Sequence, residues 1–378
     1  MTTYKRLGDY IREVDVRNKD LQCTNLLGLS IAKKFIPSIA NMVGTDLKSY
    51  KIVKHNQFAY VPVTSRNGEK ITVALYTDDE PAIISQAYVV FEIVGTCDTV
   101  ETVCTPSLQC DQLLPEYLMM WFRRAEFDRY ARYHSHGSAR EVFDWEEMCN
   151  VMLPVPPIEE QRSIVNRYKA IENRIANNKQ TIAKLEEAAQ ALYRKMFVDG
   201  IDVENLPEGW RMGTIGEVCE IFTGKKDVNE TSEDGEYAFF SCSPTMYKSN
   251  EYIYDGAAVL VAGNGSYTGR VSYFNGKFDL YQRTYACIIK ANVKSDFFSF
   301  VYSHMKFQFE PKYLGGSRGS SIPYIVRGDI ADFPICINEE RIIKYATYMD
   351  SFMKHMDFCS KENEKLTEML SVMACVKR

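Results

Sequence analysis

A mixed α/β fold built twice in tandem, each globular unit followed by a long coiled-coil helix, is what this 378-residue sequence predicts. Two junctions point to it: Leu153-Pro154-Val155-Pro156-Pro157-Ile158-Glu159-Glu160-Gln161-Arg162 and Phe333-Pro334-Ile335-Cys336-Ile337-Asn338-Glu339-Glu340-Arg341. Each joins a proline-bearing apolar run to a charged helix start. Counting back from Pro154 and Pro334, a spacing of 180 lays Tyr133 on Tyr313, Arg132 on Lys312 and Phe127 on Phe307. Further back, Ile84-Ser85-Gln86-Ala87-Tyr88-Val89-Val90 lies over Leu280-Tyr281-Gln282-Arg283-Thr284-Tyr285-Ala286 at 196, and Leu7-Gly8-Asp9-Tyr10-Ile11 over Ile215-Gly216-Glu217-Val218-Cys219 at 208. The collinear order of these matches marks an internal duplication with extra residues in the first copy.

The elements follow in order. Residues 1–157 form the first unit, where Ser49-Tyr50-Lys51-Ile52-Val53, Gln57-Phe58-Ala59-Tyr60-Val61, Ile71-Thr72-Val73-Ala74-Leu75 and Tyr88-Val89-Val90-Phe91-Glu92-Ile93 are β-branched and aromatic. They read as strands, with a turn at Arg66-Asn67-Gly68. Over 115–131 the period becomes helical, with Leu118, Trp121, Phe122, Ala125 and Phe127 on one side.

Residues 158–197 carry a seam of Ile164, Tyr168, Ile171, Ile175, Asn178, Ile182, Leu185, Ala189, Leu192 and Met196, in steps of four and three. That spacing predicts one long coiled-coil helix, with the buried amide of Asn178 fixing register. On other faces, Arg162, Arg167, Arg174, Lys184 and Tyr193, with the seam residue Met196 beside them, offer a surface suited to another protein.

The breaks at Asp199-Gly200 and Leu206-Pro207-Glu208-Gly209-Trp210 open the second unit, 198–336. Its strands are expected at Ala257-Ala258-Val259-Leu260-Val261 and Tyr285-Ala286-Cys287-Ile288-Ile289, and its helix over 297–307. Residues 337–378 repeat the seam through Ile342, Ala346, Met349, Met353, Met356, Asn363, Leu366, Leu370 and Met373. Two heptad helices in one chain most simply pair with each other, which gives a pseudo-two-fold molecule suited to a ligand with two half-sites. Duplex DNA is the commonest such ligand.

A net charge of −5 and a pI near 5.7 oppose nucleic-acid binding by bulk electrostatics. The positive charge is instead local, in Arg123, Arg124, Arg129, Arg132 and Arg140, although such a run also reads as a solvated helix face. Eleven cysteines without a C-x-x-C pair or a histidine at zinc spacing read as reduced thiols, with neither disulfide nor metal. With no apolar run of membrane length and no signal-peptide core at the start, the chain reads as cytoplasmic.

The stretch Ala262-Gly263-Asn264-Gly265-Ser266-Tyr267-Thr268-Gly269-Arg270 lacks the ending of a phosphate loop and precedes a strand. It reads as a glycine-rich hairpin that brings backbone close to a ligand, and no cofactor is expected. Leu314-Gly315-Gly316-Ser317-Arg318-Gly319-Ser320-Ser321 and His134-Ser135-His136-Gly137-Ser138-Ala139-Arg140 occupy the same place in each copy, just after a helix. The glycines alone read as helix C-terminal loops. The recurrence of Ser, Gly and Arg in both copies also allows DNA-facing loops, since arginine reads guanine edges or phosphate.

The candidate DNA contacts are Arg132, His134, His136, Ser138 and Arg140 in the first unit, and Lys225, Lys226, Tyr267, Ser317, Arg318 and Ser320 in the second. There is no G-x-S-x-G, no H-E-x-x-H, no paired nuclease carboxylates and no Asp/Asn-Pro-Pro-aromatic tetrapeptide. His134 and His136 lack a third ligand nearby in sequence. The chain reads as non-catalytic.

The order of unit, L-P-x-P-P-x-x-E-Q junction, heptad helix, L-P-E-G-W-x-x-x-x-I-G-E start, second unit and second helix resembles the specificity subunit of type I restriction-modification systems over essentially the whole chain. The resemblance implies two target recognition domains, each reading half of a split DNA sequence, joined by two antiparallel helices. It implies helices that dock two methyltransferase subunits, and an endonuclease/translocase subunit that joins for cleavage. A stand-alone coiled-coil scaffold or a DNA methyltransferase with cryptic motifs are the other classes to be separated from it.

Overall fold

The computed structural model describes residues 4–38, 46–64, 70–94, 112–137, 140–316, 318 and 321–375. The expected turn at Arg66-Asn67-Gly68 lies outside them. The chain divides into two compact units, Met1–Ala176 with Asn363–Arg378, and Asn177–Glu362. Each long helix, Ile158–Phe197 and Glu339–Cys375, therefore contributes to both units.

The core of the first unit is a four-stranded antiparallel sheet in which Ile11–Val14 pairs with Val89–Ile93, which pairs with Phe58–Tyr60, which pairs with Val73–Leu75. Phe58 and Phe91 face each other across neighbouring strands and stack at 5.0 Å, a cross-strand aromatic pair on the core face. The second unit repeats the order with Cys219–Thr223, Thr284–Ile289, Tyr254–Ala262 and Val271–Leu280.

The register is conserved between the two copies. Ile11 opposite Ile93 becomes Cys219 opposite Ile289, and Phe58 opposite Phe91 becomes Val259 opposite Cys287. The steps from Ile11 to Cys219 and from Ile93 to Ile289 are the spacings of 208 and 196 visible in the sequence. Two further strands, Tyr237–Phe240 and Met246–Ser249, extend the second sheet to six. There Gly256 and Gly276 lie opposite each other at φ 146° and 141°, a conformation L side chains rarely adopt, so the glycine pair bends the long hairpin.

Each unit is closed by a short strand pair. Tyr4–Arg6 pairs with Met152–Pro154, and Arg211–Thr214 with Pro334–Ile337. The Leu7 amide then donates to the Val151 carbonyl at 2.8 Å, and the Ile215 amide to the Phe333 carbonyl at 3.0 Å, the same bond in both copies.

At the first junction the buried Gln161 side chain accepts from the Leu114 amide and donates to the carbonyls of Gln112 and Pro156. The second copy has Arg341 at that position. Its guanidinium donates to the Met196 carbonyl and lies over the Trp210 ring, while Asn338 accepts from the Arg341 amide and donates to the Gly209 carbonyl. This explains Trp210 in the start signature of the second unit.

The helix expected over 115–131 is two, Pro115–Phe122 and Ala125–Tyr133. Leu118, Phe122, Phe127 and Ala131 are all buried, yet Phe122 and Phe127 are five positions apart, one more than a helix face allows. The extended backbone of Arg124 absorbs the extra residue, and Ala125, expected inward, is exposed. In the second unit, helix Phe297–His304 runs through a π turn, Met305–Phe309, to Glu310–Tyr313, beyond the expected end.

All ten seam positions of the central helix are buried or half-buried. In the second unit the two helices run antiparallel, with Asn178 donating to Glu362 at 2.6 Å at one end and Arg341 bonded to Met196 at the other. Tyr193, expected on a free face, is instead 2% exposed in the core among Phe197, Phe300 and Tyr345.

The Tyr193 hydroxyl donates to His304 Nδ1 at 2.6 Å, and His304 Nε2 donates to the Pro334 carbonyl at 2.9 Å. One imidazole thus ties the central helix, the core helix and the closing strand. Burial holds that ring at about 4, well below the ordinary histidine value of 6.5. The unfolded chain therefore takes up a proton that the folded chain refuses, so stability rises with pH through this window. The contribution is intact above pH 6.5 and lost as pH falls toward 4, by about 3 kcal/mol at most. Urea unfolding of the wild type and His304→Gln between pH 4 and 7 should show the acid-side loss in the wild type and a flatter profile in the variant.

Candidate nucleic-acid interface

In the second unit, loops separated by up to a hundred residues in sequence meet at one end of the sheet. The hairpin between strands Tyr254–Ala262 and Val271–Leu280 carries the predicted glycine-rich loop. The Gly265 amide donates to the Pro323 carbonyl, the Ile325 amide to the Gly263 carbonyl and the Gly315 amide to the Thr268 carbonyl. The hairpin and the post-helix loop are thereby one surface. Gly269 sits at φ +85°, where a Cβ would lie 2.3 Å from the Tyr313 carbonyl oxygen, so a side chain there would push the two loops apart.

The turn 281–283 and the 224–226 segment join the same edge: the Gly263 amide donates to the Arg283 carbonyl, and the Gln282 amide to the Lys226 carbonyl. The first unit builds the corresponding edge. The Thr64 amide donates to the Glu141 carbonyl and the Phe143 amide to the Pro62 carbonyl, as Gly265 and Ile325 do in the second copy.

The candidate residues sort by what their side chains touch. Arg132 and Arg140 are exposed, with no side-chain hydrogen bond or ion pair among the described residues, and so is Lys225. Tyr267 is 46% exposed at the hairpin tip. These four present groups to solvent. His134 and His136 instead converge on Glu147, at 3.1 and 4.0 Å, and His134 stacks on Tyr130. Arg318 is paired with Asp329, whose hydrogen bond raises the guanidinium above its ordinary value.

Lys226 is pinned by Asp279 at 2.8 Å, Glu251 at 3.1 Å and the Ser249 hydroxyl, and the Asp279 bond raises its ammonium above the ordinary lysine range. With Asp279 buried, that lysine holds the loop to the sheet and is committed to the fold. Ser138, Ser317 and Ser320 lie outside the described residues.

Of the basic run in the first unit, Arg123 bonds Glu172 and covers Tyr168, Arg124 covers Trp121, and Arg129 pairs with Glu126. Arg132 and Arg140 are the members left exposed and unpaired among the described residues. The structure adds Arg283, exposed in the turn beside Gly263, which sequence reasoning passed over because its counterpart in the first copy is Ala87. It also adds Arg270, which donates to the Ser243 carbonyl at 2.9 Å while its buried Nε finds no acceptor among the described residues. Cys23, Cys149, Cys219, Cys242, Cys287, Cys336 and Cys359 are free thiols, and no group of three or more metal-ligating side chains occurs among the described residues. No helix among them is long and apolar enough to cross a membrane.

Residues 207–368 match the type I restriction modification DNA specificity domain. The chain is 33% identical over 168 residues to the type I restriction enzyme EcoDI specificity subunit of Escherichia coli, covering 44% of this chain and 36% of that one. It is 21% identical over 271 residues to the MjaIX specificity subunit of Methanocaldococcus jannaschii, covering 62% and 61%. The matched regions thus span between about a third and three fifths of these relatives' own lengths. The fold is shared with a type I restriction-modification system S subunit from M. genitalium, at a TM-score of 0.60 and 14% identity over 98% of this chain and 94% of that one. The second half of the chain thus matches a type I restriction modification DNA specificity domain, and the chain as a whole shares the fold of a solved S subunit.

Proposed function

We propose that this chain is the DNA sequence-recognition subunit of a type I restriction-modification complex and that each unit reads one half of a bipartite double-stranded target. The observation that carries the reading is the repeated edge, two loops joined by the same backbone bonds in both copies, with Arg132 and Arg140 exposed on one and Lys225, Tyr267 and Arg283 on the other. Unpaired cations and an exposed aromatic ring are what phosphate and base edges require, while glycine and serine permit close approach. A local arrangement of this kind is compatible with a net charge of −5.

The chain itself is non-catalytic and takes no cofactor. Two methyltransferase subunits dock on the helices and supply the chemistry, and endonuclease/translocase subunits join the full complex. A coiled-coil scaffold would leave the repeated loops without a purpose, and a methyltransferase would need the catalytic tetrapeptide that is absent from the sequence.

The test is to express the chain with and without a type I methyltransferase subunit and to map adenine methylation of plasmid DNA. Methylation is expected only with both proteins, at a split, asymmetric sequence. Methylation by the chain alone would overturn the non-catalytic reading. Nanomolar sequence-specific binding by the isolated chain at physiological salt would overturn the dependence on partners.

A further inference from the structure

The post-helix loops are equivalent to a degree that the sequence does not show. His136 bridges Val142 in the first unit and Arg318 bridges Tyr324 in the second, antiparallel in both cases. These two pairs, together with Glu147 and Asp329, stand at one constant spacing of 182 residues. Glu147 lies in the short helix Trp145–Cys149 and Asp329 at the same position of the short helix Arg327–Ala331. In both copies, then, a carboxylate on the helix behind the loop faces the loop's basic residue. Glu147 meets His134 at 3.1 Å and His136 at 4.0 Å, and Asp329 meets Arg318. The residue types differ between the copies, yet a carboxylate faces a nitrogen base in both.

The two carboxylates differ in what they do for their short helices. In the first unit the helix cap is Asp144, which accepts from the Glu147 amide at 2.9 Å, and the Glu147 side chain takes no part in it. In the second, Asp329 accepts from the Val326 amide at 2.8 Å, a bond that an asparagine oxygen also makes. What the negative charge adds beyond a cap is competition. A phosphate that approaches Arg318 or His136 must displace the carboxylate and then remain close to it, which costs electrostatic energy that only additional contacts offset.

We propose that Glu147 and Asp329 are positioning residues that keep the basic loop residues off the phosphate backbone, lowering affinity for unrelated DNA and sharpening discrimination by the unit to which each belongs. The inference rests on the DNA-recognition reading. It adds that each half-site is policed by an acid that does not itself touch DNA.

Glu147→Gln and Asp329→Asn remove the charge and keep the shape. The probes are the methylated target duplex sequence and an unrelated duplex, each titrated with the full chain in complex with a methyltransferase subunit across 50–200 mM salt. For Asp329→Asn, binding to the unrelated duplex is expected to tighten by up to about eightfold at 0.1 M salt, and its salt slope to steepen by about 0.9, the counterion release of one phosphate. Methylation should spread to sites altered in the half read by the second unit alone, and Asp329→Glu, which restores the charge, should return both readouts toward wild type. Glu147→Gln should do the same for the first half. A merely structural role would weaken binding to every duplex and lower the unfolding midpoint. If the wild-type complex discriminates while the variants bind unrelated DNA no more tightly, the inference is overturned alone. A wild-type complex that cannot tell target from unrelated duplex overturns the recognition reading and the inference with it.

Discussion

Replacing residues 198–336 with the corresponding segment of another specificity subunit is expected to exchange one half of the methylated sequence completely and leave the other half unchanged. The expectation follows from closure. The segment begins and ends at the antiparallel pair Arg211–Thr214 with Pro334–Ile337, so both joints of a transplant fall beside one strand pair. Its own sheet supplies the core through Val259, Val261 and Cys287. What must be matched is the helix surface it packs on, chiefly Tyr193, Phe197 and Tyr345, all nearly or fully buried. A donor that leaves Tyr193 without its imidazole partner exposes a buried hydroxyl to an apolar pocket, at a cost of roughly 1–3 kcal/mol. Long-read methylome sequencing of cells carrying the chimaera reads the result. A change in both halves would mean that the units do not read independently.

The second large effect concerns the spacer between the half-sites. The central helix has 40 residues, about 60 Å at ~1.5 Å per residue. Four residues inserted after Asn178 add about 6 Å and a rotation of about 40° beyond a full turn. The paired seam adds a requirement: Asn178 bonds Glu362 in an antiparallel pair, so the opposite helix needs a matching insertion just before Glu362 to keep the two helices in register. The doubly extended chain is expected to methylate the same half-sites with a spacer longer by one or two base pairs. The singly extended chain should lose most activity through a mismatched seam. An unchanged spacer in an active double mutant would show that the partner subunits, and not the helices, set the distance.

Much of the fold was readable because strands and heptads announce themselves by period. The 208 and 196 spacings are the register of Ile11 with Ile93 and of Cys219 with Ile289, since duplicated strands keep their hydrogen-bonded partners even as side chains change. The helix break at Arg124 was not readable, because the five-residue step from Phe122 to Phe127 is a fault in one period and a signature of nothing else. Tyr193 looked free because it lies off the seam, and a heptad pattern reports only the face shared with a second helix. The candidate residues were legible as loops and cations, but not in their pairings. Asp279, Glu147 and Asp329 carry no local signal of their roles, and distance alone turns Lys226, His136 and Arg318 from free charges into restrained ones.

The first unit is discontinuous, since it comprises Met1–Ala176 and also Asn363–Arg378. On the ribosome its sheet and closing strand are complete once Pro154 has emerged, but the segment from Asn363 onward that it needs is made only after the second unit. Throughout synthesis of the second unit, Ile164, Tyr168, Ile171 and Ile175 wait as an apolar stripe for Asn363, Leu366, Leu370 and Met373, all half-buried in the finished protein. A nascent chain with such a stripe is open to chaperones and to premature association. A nonsense codon just before the codon for Asn363 would strip its seam from the unit translated first, while the second unit kept every one of its own residues.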